Sequence, residues 1–189
     1  IITSDHGHSN THTHLDLVEF LEKHGYKVFS YPLIHKKYLT DIDAAVMVSG
    51  NSMSHIYLRK DKNWAEKYTF PSSEKLIDDL LQLDAVDIVM TKNEKNQIVI
   101  KSTRGIAILE NKDSGLQYTP LLNDPFGYKG ISDFLTFEDS LDKTFDTQYP
   151  DALVQIFQIF NSPRCGDIVV SAETGFDLRN KFEFPEHKS

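Results

Sequence analysis

Cysteine is nearly absent: Cys165 stands alone in the chain, which excludes an internal disulfide and any cysteine-based zinc motif. Long apolar runs are missing too. No stretch approaches the ~20 residues a membrane-spanning helix needs, so no membrane segment is expected. These residues are not expected to include a signal peptide, and any targeting signal would be lost with a missing upstream piece. Positive charge is in deficit, since 20 Lys and Arg against 28 Asp and Glu leave a net charge of −8. That balance argues against a nucleic-acid polymer or an anionic membrane as partner, while leaving room for a local cationic or metal site that holds an anion. No Gly-rich phosphate-cradling loop, Rossmann fingerprint or Walker motif is present. There is no internal repeat and no low-complexity tract. One thiol does not fix a compartment, although the cytoplasm is favoured, and the oligomeric state stays open.

What is present suits a folded domain. Hydrophobic residues at 40% and charged ones at 25% are ordinary for a globular protein. Twelve Phe and eight Tyr supply large side chains for a core. At 189 residues the chain fits one domain, or one domain with an inserted subdomain.

Periodicity divides the chain into elements. Ile1 to Ser4 reads as a buried strand that delivers Asp5 and His6 at its C-terminal end. Leu15 to His24 reads as an amphipathic helix, with Leu17, Val18 and Leu21 at helical spacing and Gly25 where a helix stops. Strands are expected at Tyr26–Tyr31, Ala44–Val48, His55–Arg59, Asp87–Thr91, Gln97–Lys101 and Ile106–Leu109. Ser72 or Ser73 is placed to cap a helix running to about Leu83. A less regular stretch follows, punctuated by Pro120, Pro125, Gly127 and Gly130. Pro150–Phe160 then reads as a helix and Gly166–Ala172 as a strongly buried strand. The apolar runs at Ile1 and Ile168 suit strands covered on both faces, as in α/β folds. The middle alternates as β with a helix. This contrast gives the expected organisation: a partial α/β core from residues 1–25 and 121–189, and an inserted α+β cap from 26–120.

The chemistry concentrates at the opening, IITSDHGHSNTHTHLDL. Half of the eight histidines (His6, His8, His12 and His14) fall within nine residues. Asp and neutral His are good ligands for zinc, and carboxylate with imidazole also suits manganese or iron. A strand's C-terminal end is where α/β sheets bind ligands, and Gly7 lets the backbone turn so that adjacent side chains converge on one ion. A lone Asp-His-Gly also occurs in plain turns. His12 and His14 are expected in the solvated lead-in or first turn of the following helix, and His8 is open between the two roles. Ile1-Ile2 reads as the interior of a strand already under way, and Glu186-His187-Lys188-Ser189 stops on polar residues. The expectation is a piece of a longer protein.

Thr3-Ser4-Asp5-His6-Gly7 resembles the metal-binding SDHG motif of the alkaline phosphatase superfamily, in particular its type I phosphodiesterase/nucleotide pyrophosphatase branch. Val48-Ser49-Gly50-Asn51-Ser52 with Ile56-Tyr57-Leu58 resembles the cap region of those enzymes. Gly166-Asp167-Ile168-Val169-Val170 resembles their late core strand, and Pro185-Glu186-His187 the approach to their last metal-binding histidine. The resemblance implies two divalent ions, Zn or Mn, that orient a phosphate ester and stabilise attacking and leaving oxygens. It implies that Asp5 and His6 bind one ion and His187 the other. In that family the nucleophile precedes the motif, so a Ser or Thr upstream of Ile1 is implied and the isolated chain is expected to be inactive. The substrate is then a small phosphate mono- or diester, with Asn51 and Tyr57 as candidate substrate contacts on the cap. The alternatives are a non-catalytic metal-binding or interaction module, or another activity of that superfamily: phosphonate hydrolase, sulfatase or phosphoglycerate mutase.

Other constellations read as structural. Asp16 with Glu19, and Asp78-Asp79, suit solvated helix faces. Arg104 and Arg179 are of the right type for phosphate but are also ordinary surface residues. Asp167 reads as a ligand or, preferably, a turn carboxylate at a strand start. Cys165 reads as a small apolar residue.

Overall fold

The computed structural model describes residues 10–30, 41–131 and 133–179. Asp5, His6, His8 and His187 lie outside them, as does the strand expected at Ile1–Ser4. Residues 10–30 supply β1 (Thr13–His14), α1 (Leu17–Lys23) and β2 (Val28–Ser30). Asp16 caps α1, its carboxylate accepting from the amides of Val18 at 3.0 Å and Glu19 at 3.1 Å. The hairpin of β3 (Ala44–Ser49) and β4 (Met53–Leu58) follows. Next comes α2 (Glu74–Leu81), whose Leu76, Ile77, Leu80 and Leu81 are buried at helical spacing.

A run of strands then traces a meander: β5 (Val86–Lys92), β6 (Ile98–Ser102), β7 (Ile106–Lys112) and β8 (Gly115–Leu122). Asn93 turns β5 into β6 with its own side chain, accepting from the amides of Lys95 and Gln97, both at 3.0 Å. The stretch after Leu109, expected to be irregular, instead holds the rest of β7, all of β8, β9 (Phe134–Leu135) and α3 (Phe137–Thr144). The chain continues through α4 (Ala152–Asn161), β10 (Ile168–Ala172) and β11 (Phe176–Asp177).

The fold is mixed α/β, with four helices and a large mixed sheet among the described residues. Nine strands join in the order β2-β3-β4-β10-β5-β6-β7-β8-β9. β2 and β3 run parallel, and every other neighbouring pair is antiparallel. β10 is central, between β4 and β5. Its side chains alternate between two cores: Val169 faces the layer built with Leu153 and Phe160 of α4, while Ile168 and Val170 face that of Leu21 from α1 and Leu80 from α2. Helices on both sides thus explain the unbroken apolar run at 168–170. The run's covering matches the sequence expectation, although both neighbours of β10 are antiparallel to it.

Candidate functional site

The two cap positions singled out from the sequence lie at opposite ends of the β3–β4 hairpin. Asn51 sits in its turn, where its backbone carbonyl accepts the Leu178 amide at 2.8 Å. Tyr57 lies four residues along β4 from Met53, about 13 Å at 3.3 Å per residue. Its hydroxyl donates to the Arg164 carbonyl at 2.7 Å, and the Lys67 ammonium stands 5.4 Å from its ring centroid. Burial, with lesser contributions from Cys165 and Asp167, raises the Tyr57 pKa. The phenol fastens the 164–166 loop to the sheet.

At the Asn51 end, β1 and β11 pair in parallel as a separate two-stranded clasp. The amides of His12 and Thr13 both donate to the Gly175 carbonyl, at 2.7 and 3.2 Å, and that of Leu15 to the Asp177 carbonyl at 2.8 Å. Gly175 has φ +94°, and a Cβ there would lie 3.1 Å from His12 Cδ2, so glycine suits both the backbone and the close approach. Asp177 is fully buried and accepts from the Arg179 amide at 2.8 Å and from its guanidinium. His14 Nδ1 stands 3.9 Å from the same carboxylate. His12 and His14 are exposed and precede α1, as the solvated lead-in expected for them requires. Among the described residues no three His, Cys, Asp or Glu side chains are grouped to hold a metal ion. The residues expected to do so lie outside them.

The buried polar groups of the sheet are engaged in holding it together. Asp167, at the mouth of β10, accepts from the amides of Leu58 at 2.7 Å and Tyr68 at 3.1 Å, with Lys67 Nζ at 3.8 Å. Burial raises its pKa against these bonds. The turn-carboxylate reading of Asp167 therefore holds. Arg104 donates to the Pro125 carbonyl at 2.7 Å, Asp87 Oδ1 at 2.7 Å and Tyr149 Oη at 3.0 Å. Tyr149 in turn donates to Asp87 Oδ2 at 2.8 Å. Spacing could not have paired residues so far apart in sequence; the only signal was an Asp among the apolar residues that open β5. Both weighed arginines, Arg104 and Arg179, thus have carboxylate partners.

A cleft of about 240 Å³ opens between the C-terminus of α1 and the flank of α2. His24, Asp79 and Lys75 line it, with His24 Nε2 3.2 Å from Asp79 Oδ2. Bonding to Lys75, and secondarily to His24, lowers the Asp79 pKa. The volume falls below the ~300–1,000 Å³ usual for a small-molecule site. Comparison with family models, curated proteins and solved structures finds no match to this chain.

Proposed function

We propose that this chain belongs to a metal-dependent hydrolase of phosphate mono- or diesters, phosphodiesterase/nucleotide pyrophosphatase-like, within the alkaline phosphatase superfamily. The observation that carries the reading is the parallel clasp of β1 on β11. Asp5 and His6 shortly precede β1 in sequence, and His187 follows β11. The clasp pairs residues that follow the first two expected ligands in sequence with residues that precede the third.

The donor set fits the metal chemistry. Asp5 with His6 at one ion and His187 at the other are donor types that suit Zn or Mn, the remaining ligands falling to residues upstream of the motif, while the Asp177 oxygens are engaged by Arg179. Bound there, a pair of divalent ions would supply charge stabilisation for the attacking and leaving oxygens of a phosphate ester. The nucleophile belongs to a Ser or Thr upstream of Ile1. Residues 1–25 and 121–189 are assigned to a partial core and 26–120 to an inserted cap, with β10 as the core strand that the cap sheet is built upon. Asn51, linked to Leu178, is the cap position beside the clasp, whereas Tyr57 would meet substrate only at the hairpin's other end.

The test uses the full-length protein and bis(p-nitrophenyl) phosphate. The expected result is stoichiometric Zn or Mn in the parent, and Asp5→Asn lowering both metal content and hydrolysis at least about a hundredfold, the upper end of what losing an outer-shell partner costs. A metal-free parent whose activity survives Asp5→Asn overturns the proposal. A parent that holds metal stoichiometrically without hydrolysing esters makes the chain part of a metal-binding module instead.

A further inference from the structure

Helix α3 is built inside out. Its inward positions are Ser140 and Thr144, both fully buried, while Phe137, Leu141 and Phe145 are 44, 45 and 65% exposed. The inward face is polar for a local reason. Thr144 Oγ1 donates to the Ser140 carbonyl at 2.6 Å and accepts the Asp151 amide at 2.7 Å, which binds α3 to the entry of α4. The Thr144 hydroxyl thus secures the helix, leaving the apolar row available.

That row has the form of a recognition surface. Phe137, Leu141 and Phe145 follow at i, i+4 and i+8, so they lie along one side of the helix. Phe157 of α4 extends it, its ring centroid 5.8 Å from that of Phe137. Alongside lie Glu138 and Asp142, one helical turn apart, with Asp146 in the turn that follows the helix, all exposed and with no ion pair among the described residues. The helix's other acid, Asp139, is 3.8 Å from Lys143. An apolar stripe bordered by unpaired carboxylates is complementary to an apolar ridge bordered by Lys or Arg.

We propose that the α3 face is a docking surface for an amphipathic protein segment with apolar anchors at helical spacing and a basic flank. The acidic row decides between occupants. A second copy of this chain would bring like charge against like, and an anionic lipid surface would be repelled by the same carboxylates. This inference is independent of the hydrolase reading.

The experiment titrates the isotope-labelled full chain with an amphipathic Leu/Lys peptide, its Leu/Glu counterpart, and phosphatidylglycerol vesicles. The Leu/Lys peptide is expected to shift the amides of α3 and the Phe157 turn. Phe145→Gln should weaken it at least about tenfold, the loss typical of an interface anchor. Both anchors and acids are exposed, so the variants are expected to fold, and a circular dichroism melt checks this. A second variant, Glu138→Lys with Asp142→Lys, leaves the apolar row intact and should reverse the preference to the Leu/Glu peptide. Absence of shifts at α3, or equal affinity for both peptides, overturns the proposal. So does vesicle binding or concentration-dependent dimerisation that Phe145→Gln abolishes, since each assigns the face to another occupant.

Discussion

The amide of Leu58 donates to the buried carboxylate of Asp167 at 2.7 Å, linking residues 109 positions apart. The same carboxylate holds the Tyr68 amide, and the Asp167 carbonyl accepts the Thr91 hydroxyl at 2.8 Å. One side chain thereby joins the end of β4, the segment before α2, and β10, where the two halves of the sheet meet.

Asp167→Asn keeps the shape but offers one acceptor to two amides. It should destabilise the protein by about 2 kcal/mol, the cost of one unsatisfied buried donor, read as a shift in the urea midpoint. The pH dependence has a definite sign. The folded pKa of Asp167 is raised, chiefly by burial, so its contribution is greatest below the unfolded value and is lost as pH rises through the folded one. The variant should lack that acid-side component of the stability curve.

Tyr149 should titrate late. Burial and the bond to Asp87 push its pKa from 10.0 up to about 12. A raised phenol pKa favours the folded state below pH 10 and withdraws that support as pH climbs through about 12. Tyr149→Phe should remove this alkaline component and cost about 2 kcal/mol at neutral pH through the lost hydrogen bonds to Asp87 and from Arg104. Ultraviolet titration alongside alkaline unfolding checks both.

Cys165 should react slowly in the native protein. Burial raises its thiol from 9.0 to about 11, which lowers the thiolate fraction about a hundredfold at mildly alkaline pH. Labelling with dithionitrobenzoate is expected to be at least that much slower than in guanidinium. Equal rates in the two states would contradict the burial.

Elements whose side chains point the way their local pattern dictates were legible in the sequence. The 76, 77, 80, 81 spacing located α2, and the apolar run at 168–170 located β10 and its double covering. The direction of β10 was not legible, because an apolar run is the same whichever way the neighbours point. α3 escaped because its apolar row faces solvent and its buried row is Ser140 and Thr144, so the pattern marks no inward face. β8 escaped because Pro120 breaks the strand signal, although that residue lies in register with Ala107 of β7. At the site, Asn51 and Tyr57 looked close in sequence. The antiparallel return of the hairpin puts one at its turn and the other well along the strand.

The place of β10 also sets an order of events during synthesis. β3 with β4, and β5 through β8, are joined by short local connections and can pair as soon as they leave the ribosome. The strand that unites them emerges only after α4. Until then the nascent chain carries two half-sheets, each with an apolar edge that waits for the same partner, and such edges readily pair with the wrong chain. Among the described residues β10 is the last long strand made and the one on which a single sheet depends, so completion of this sheet comes late.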